Sequence, residues 1–404
     1  GGEAGDGHQM GKRVKLVRLQ ASKDRASDIH FEPFEHEFKM RYRIDGVLYE
    51  MVPPPKHLGA AITSRVKVMA NLDIAERRLP QDGRIELTVG GNPVDLRVAV
   101  LPTLHGERVV MRVLDRGNVE LSLDRVGFRP EEYETFKGLI AKPNGIVIVT
   151  GPTGSGKTTT LYAALSDLND IKTKVLTAED PVEYDIDGLC QVQVNPEVGL
   201  TFAGALRSFL RQDPDVILVG EIRDLETAQI AIQASLTGHL VLSTLHTNDA
   251  PSAITRLIDM GVAPYLVSTS LVAVLAQRLV RTLCKHCKEG YTASATEISM
   301  VGLDPAEAEG ATIYRAVGCP KCNGQGYSGR IGIYEMMQMD ESLREMVFAA
   351  EESHLAIRRQ AELGGMKSLR ADGAGKILAG LTSVEEVLRV VSQDATAEAP
   401  GESQ

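Results

Sequence analysis

Tryptophan is absent from the 404 residues, and aromatic side chains of all kinds make up only 4%. A chain so poor in aromatics has no stacking platform near its basic strands for the bases of a single-stranded nucleic acid. Positive charge is not in excess either. The formal net charge of −10 excludes a protein that coats nucleic acid or anionic lipid with its whole surface, though a local basic patch stays open. Cysteine is scarce, five in all, and no signal peptide leads the chain, so a secreted disulfide framework is not expected. Long hydrophobic runs are missing. The most apolar tract, residues 262–280, is broken by Pro264, Ser268, Thr269, Ser270 and Gln277, and predicts a buried or amphipathic helix rather than a membrane span. These absences predict a cytoplasmic chain that reaches any membrane through a partner.

What is present centres on Gly151-Pro152-Thr153-Gly154-Ser155-Gly156-Lys157-Thr158, which fits the phosphate-loop pattern G-x-x-x-x-G-K-[ST]. The β-branched run Ile146-Val147-Ile148-Val149-Thr150 before it predicts a buried parallel strand, and Thr159-Thr160-Leu161-Tyr162-Ala163-Ala164-Leu165 after it predicts a helix. The glycines let backbone N–H groups turn around phosphate oxygens, and the helix N-terminus adds positive potential. Lys157 can reach the β- and γ-phosphates of ATP, and the Thr158 hydroxyl can ligate Mg²⁺. The alternative is a Gly-rich turn with a chance lysine, which the flanking strand and helix argue against.

Hydrophobic (43%) and charged (24%) contents are those of a globular chain, long enough for roughly two or three domains. Residues 1–20 are expected to be a disordered or truncated edge. An α+β domain is expected over 21–120. In it Phe38, Met40, Tyr42 and Ile44 alternate with Lys39, Arg41, Arg43 and Asp45, and a helix is expected near residues 60–71. Asp45-Gly46 and Gly90-Gly91-Asn92 read as turns. Arg97 and Arg112 fall on the polar faces of later strands, where a solvated surface is the simplest account. A linker is expected over 121–130, then an α/β domain over 131–404. Its strands should lie at 146–150, 175–178, 216–219 and 240–245, with ligand at their C-terminal ends.

Three further stretches carry chemistry. The apolar run at 216–219 leads through Gly220 to Glu221, a carboxylate placed to bind Mg²⁺ through water or to polarise the attacking water. Residues 177–183 bring Glu179, Asp180 and Glu183 to another strand end, where one carboxylate can act as general base. Residues 237–246 place His239 and His246 at the two ends of a strand, as γ-phosphate sensor or as hydrogen-bonded structural histidines. Separately, Cys284-Lys285-His286-Cys287 and Cys319-Pro320-Lys321-Cys322 supply four thiolates for a tetrahedral structural Zn²⁺, within a subdomain expected over 283–330. A small helical insertion at 294–309 fills the gap between the knuckles. His286 reads as a bystander and Cys190 as a small buried residue.

Taken together, these residues resemble the secretion-ATPase superfamily, in its subgroup that drives type II secretion and type IV pilus assembly. The matches run from Ala26-Ser27-Asp28-Ile29-His30 to Leu381-Thr382-Ser383-Val384-Glu385-Glu386-Val387 and take in the phosphate loop, an aspartate box (177–183), a Walker B strand ending Gly220-Glu221-Ile222-Arg223-Asp224, and a histidine box (237–246). The resemblance implies a PAS-like domain followed by a RecA-like core with a tetracysteine zinc insertion, assembled as a homohexameric ATPase on the cytoplasmic face of the inner membrane. It implies Lys157, Glu179 and Glu221 as catalytic residues. It implies ATP contacts from the loop residues through Thr158 and Thr159, from His246, and from Arg97 and Arg112 at the γ-phosphate. Arg207, Arg211, Arg223 and Arg256 match positions of coupling or subunit contact. The implied partners are an inner-membrane platform protein and the cytoplasmic domain of a bitopic secretion protein, with no nucleic acid.

The pilus-retraction branch lacks the paired knuckles. The subgroup's extra N-terminal domain, which docks a membrane partner, is expected to be missing here. The segment around residues 324–333 leans toward secretion, with type IV pilus assembly as the alternative. Two other classes remain open: a nucleic-acid translocase, and a nucleotide-gated scaffold without turnover.

Overall fold

Alternation of apolar and charged residues builds the first of two units, 1–120. The computed structural model describes residues 26–89, 92–115, 121–303, 308, 310–349 and 353–397. The expected edge at 1–20, the turn residues Gly90 and Gly91, and part of the insertion at 294–309 lie outside them. Among its described residues this unit has six strands: β1 Ala26–Pro33, β2 Phe38–Ile44, β3 Val47–Met51, β4 Gln81–Val89, β5 Asn92–Thr103 and β6 Gly106–Asp115. They form one antiparallel sheet in the order β3-β2-β1-β6-β5-β4. Every second residue of β2 is buried, as a sheet with one covered face requires. Helix α1, Gly59–Met69, covers that face and adds Ile62 and Val66 to a core with Phe31, Tyr42, Leu96 and Met111.

In the second unit, 121–404, all six residues of β7 (Gly145–Thr150) are buried. Beside it lie β8 Val175–Glu179, β9 Cys190–Gln193, β10 Val216–Val219, β11 Leu240–Leu245, β12 Leu271–Leu283 and the later β15 Tyr327–Gln338. The order is β15-β12-β7-β11-β10-β8-β9, parallel except for β15. Helices cover both faces, with separate apolar cores on each, the arrangement parallel sheets need. They include α2 Pro130–Ile140, α3 Lys157–Leu168, α4 Phe202–Phe209, α5 Leu225–Leu236, α6 Pro251–Asp259 and α7 Pro264–Ser270. Between the two cysteine pairs, β13 Glu289–Thr292 and β14 Thr312–Arg315 pair antiparallel around α8, Ala295–Val301. Four helices end the described chain: α9 Glu341–Phe348, α10 His354–Leu363, α11 Leu369–Leu378 and α12 Val384–Ala397.

Two expectations are corrected. Residues 262–280 are not one helix: α7 stops at Ser270 and β12 begins at once. The first eight residues of β12 are buried without a break. A strand covered on both faces has no alternation to show, so its sequence looks like a buried helix. Cys190 is exposed rather than buried, because β9 is an edge strand whose outer row is uncovered.

Residues 121–130 are bonded into the second unit. Leu123 is buried, the Val126 carbonyl accepts from Tyr334 Oη at 2.7 Å and from Gly332 N at 3.2 Å, and Arg129 pairs with the fully buried Asp372 at 2.8 Å.

Candidate functional site

The phosphate loop leaves the C-terminal end of β7 and enters α3 at Lys157. Gly151, Gly154 and Gly156 have φ of 150°, 81° and 88°, values that disfavour any residue with a Cβ. Space is short as well. A Cβ on Gly151 would come within 2.5 Å of the Gln277 carbonyl oxygen, and one on Gly156 within 2.7 Å of Gln277 Nε2. Lys157 is nearly buried and its ammonium donates to the carbonyls of Gly151 (2.6 Å) and Pro152 (3.1 Å). Burial lowers its pKa to about 8; Glu221 opposes that shift, and the Arg278 guanidinium adds to it. Ser155 Oγ is buried and has no hydrogen-bond partner among the described residues, the mark of a polar group built to meet a ligand. Pro152, Thr153, Thr158 and Thr159 are exposed. The loop therefore fits a nucleotide's phosphates: an open rim, a buried cation and an unpaired hydroxyl.

Sheet register gathers the other groups. Leu245 lies opposite Thr150, and Val219 opposite Ala178. Glu179, Glu221 and His246 therefore all emerge at the strand ends beside the loop. Thr158, Glu179, Asp180, Glu183 and Glu221 line one cavity of about 80 Å³. The Thr158 hydroxyl and these carboxylates are the oxygen donors Mg²⁺ takes.

The two central carboxylates differ in their surroundings. Glu179 is 4% exposed and accepts from Tyr162 Oη, from Thr177 Oγ1 at 2.6 Å and from Gln191 Nε2 at 3.1 Å. Burial, and then the hydrogen bond and charge of Glu179, push the Tyr162 phenol well above its ordinary pKa. Glu221 accepts from Arg223 at 2.5 Å and faces His246 Nε2 at 3.5 Å. Burial raises the Glu221 pKa, but Arg223 and His246 outweigh it and hold the carboxyl below its usual value.

Of the two histidines, only His246 is at this site. His239 caps α5, with Nδ1 2.9 Å from the Ala234 carbonyl. Arg223 also lies 3.8 Å from Asp180, so it belongs to the carboxylate cluster. Arg207 pairs with Glu226 on the surface, Arg211 donates to the Arg207 carbonyl at 3.0 Å, and Arg256 is exposed on α6. Arg97 and Arg112 are register partners on β5 and β6 of the first unit.

Cys284, Cys287, Cys319 and Cys322 bring their sulfurs within 4.8 Å of one another. Cys284–Cys319, Cys287–Cys322 and Cys319–Cys322 are 3.9, 3.8 and 3.8 Å apart. A tetrahedron with metal–sulfur bonds of about 2.3 Å has edges of about 3.8 Å, so the spacing fits a tetrahedral ion. Backbone N–H groups of Gly318 (3.3 Å) and Gly326 (3.1 Å) donate to two of the sulfurs, the outer contacts that steady thiolate ligands. His286 is not part of the cluster.

Sequence reasoning missed what stands behind these groups. Gln277, 1% exposed, accepts from the Thr160 hydroxyl at 2.8 Å and fixes the start of α3. The polar break it makes in an apolar tract was the available signal. Arg278, Tyr162, Thr177 and Gln191 carry no local motif. A further buried network joins the loop after His246 to α10: Asp249 pairs with His354 (2.9 Å) and Arg358 (2.8 Å), and Arg358 with Glu335 (3.3 Å).

The profile of the family described as "Type II/IV secretion system protein" matches residues 4–389. The type II secretion system ATPase E of Vibrio cholerae is 53% identical over 391 residues, 97% of this chain and 77% of that one. The type IV pilus assembly ATPase PilB of Myxococcus xanthus is 52% identical over 394 residues, 97% of this chain and 69% of that one. Among solved structures, the Legionella pneumophila ATPase DotB shares the fold, with a TM-score of 0.69 at 20% identity over 95% of this chain and 96% of that one.

Proposed function

This chain belongs to the type II/IV secretion system protein family and is a P-loop ATPase; we propose that it powers protein secretion through a type II system by driving pseudopilus assembly at the inner membrane. The observation that carries the catalytic part is the shared cavity into which the first turn of α3, Glu179 and Glu221 open. Assembly of a type IV pilus is the second reading, favoured by the 52% identity to a pilus assembly ATPase. No helix among the described residues is long and apolar enough to cross a membrane. The proposed membrane partners are a platform protein and the cytoplasmic domain of a bitopic secretion protein, and the working form is a homohexamer.

ATP supplies the phosphoryl group and water the nucleophile: a P–O bond forms to the water oxygen as the bond from the γ-phosphorus to the β,γ-bridging oxygen breaks, and ADP and phosphate leave. Backbone N–H groups of Gly151 and of residues 153–156 hold phosphate oxygens, Pro152 having none to give, and the Lys157 ammonium leaves its carbonyl partners for them. The Thr158 hydroxyl would hold Mg²⁺, which would supply positive charge to the phosphates. Glu221, ionised at neutral pH, takes the proton of the attacking water, while Arg223 and His246 keep its oxygens oriented. Glu179, already holding three donors, positions the water rather than exchanging a proton. Arg97 and Arg112 supply cations for the terminal phosphate. Zinc is the proposed metal of the four cysteines, with a structural role, since no ligand position is left for water.

The test is ATP turnover by the purified full chain and by Lys157→Ala. The variant should keep its fold and lose turnover, because it lacks the β/γ-phosphate cation. Turnover within a few-fold of wild type would end the assignment. Single-stranded DNA should leave the rate unchanged; several-fold stimulation would instead favour the translocase.

A further inference from the structure

The polar face of the first unit carries an unusual rung. Arg84 on β4 is opposite Arg97 on β5, Arg97 opposite Arg112 on β6, Arg112 opposite Asp28 on β1, and Asp28 opposite Arg43 on β2. Register partners share a face, with Cβ atoms about 5 Å apart, and like charges so placed repel. Four guanidiniums thus stand against one carboxylate. Asp28 pairs with Arg112 at 3.1 Å and lies 4.0 Å from Arg43. Elsewhere on this face the charges balance differently: Glu32 is shared by Arg41 and Arg108. Arg84 is exposed and makes no hydrogen bond or ion pair among the described residues, although Asp82 and Glu86 lie two residues away on its own strand.

Beside the rung is a depression of about 430 Å³ lined by three guanidiniums, Arg84, Arg97 and Arg112, and two carboxylates, Asp28 and Asp82. Ala99 and Val110, one rung along, leave it open because their side chains are short. That volume suits a small ligand. None of the described residues lining it is aromatic, so it offers guanidinium forks for phosphate oxygens and nothing for a base to stack on.

We propose that Arg84 is a third phosphate-binding arginine, and that Arg84, Arg97 and Arg112 together take the terminal phosphates of a nucleoside triphosphate. The inference rests on the reading that Arg97 and Arg112 meet those phosphates. It adds the one cation of the three that can engage without leaving an ion pair with Asp28 or another contact.

The experiment compares Arg84→Ala, Arg84→Lys, Arg97→Ala and Arg112→Ala in the full chain, measuring kcat and KM for ATP beside thermal melting. Arg84→Ala should melt like the parent, since the side chain is exposed, yet lose kcat roughly 10- to 100-fold with KM changed a few-fold at most, the pattern of a contact made in the transition state. Arg84→Lys should fall between, because an ammonium keeps the charge and loses the fork. A second arm uses inorganic tripolyphosphate with the Lys157→Ala chain, where adding Arg84→Ala should weaken binding about tenfold. Parental turnover in Arg84→Ala with loss in the Arg97 and Arg112 variants would overturn the proposal alone. Parental turnover in all three alanine variants would remove the reading beneath it. Unchanged tripolyphosphate affinity would also overturn the proposal.

Discussion

Glu179 and Glu221 open into one cavity, and their neighbours make them different instruments. Three donors occupy the Glu179 oxygens, whereas Glu221 has the Arg223 guanidinium at Oε1 and His246 at Oε2. Glu221→Gln should keep ATP bound and slow hydrolysis by about 10² or more, the scale of a lost general base; single-turnover assays would show it. Glu179→Gln should cost roughly tenfold, because its amide keeps an acceptor for Tyr162 or Thr177 and loses only orientation. If Glu179→Gln proves as slow as Glu221→Gln with its fold intact, the base is Glu179. Lys157 adds a pH signature. Its folded pKa near 8 lies below the usual lysine value, so the free enzyme loses the phosphate-binding charge as pH rises through 8. Bound phosphate favours the charged form and lifts that pKa. The plot of kcat/KM against pH should therefore fall above about 8, while kcat holds to higher pH. A kcat/KM flat to pH 9.5 would contradict it. None of these distinctions was legible in the sequence: the motif names the carboxylates and the lysine, but Tyr162, Gln191 and Arg278 reach them only through the fold.

Elements were legible where their cause is local. The run Ile146-Val147-Ile148-Val149-Thr150 is β-branched, the glycines follow at once, and the helix begins at Lys157 with its apolar spacing intact. The two cysteine pairs were legible because C-x-x-C is the local spacing that tetrahedral thiolate ligation asks for, and the structure brings the four sulfurs together. β12 was illegible for the converse reason. It is covered on both faces and pairs with β7 on one edge and β15 on the other, so nothing in its own pattern separates strand from helix. The cysteine-bounded segment also packs on distant chain: Val301 and Ile313 share a core with Ile377, Val384 and Val387 of α11 and α12. If zinc joins the four thiolates, its removal couples to local folding. A chelator should make residues 285–318 sensitive to protease first, while the cores on the two faces of the large sheet persist. Elemental analysis should find about one zinc per chain in freshly purified reduced protein. A metal-free preparation with the same digestion pattern would end the zinc assignment.

At the scale of the molecule, Lys157, Glu179 and Glu221, the proposed catalytic groups, belong to one unit and Arg97 and Arg112 to the other. Lys157 is the loop's own cation, yet a γ-phosphoryl transition state is commonly met by an added arginine worth roughly 10³–10⁵ in rate. An arginine on a separate unit can come from the same chain or from a neighbour in a ring, and the two cases differ in kinetics. Arg112→Ala should lose turnover far more than ATP affinity, because the terminal charge grows in the transition state. Mixing Arg112→Ala with Glu221→Gln chains then separates the cases. If a neighbour supplies the arginine, mixed rings contain sites with both Glu221 and Arg112 intact, and activity returns to a fraction of wild type. If each chain serves itself, no mixed ring has a complete site, and activity stays at the level of the variants while assembly is normal. In either case specific activity should rise with protein concentration as rings form, and light scattering should report the assembly alongside. A strictly monomeric chain with full specific activity would refute the hexamer, and with it any role for a neighbour's arginine.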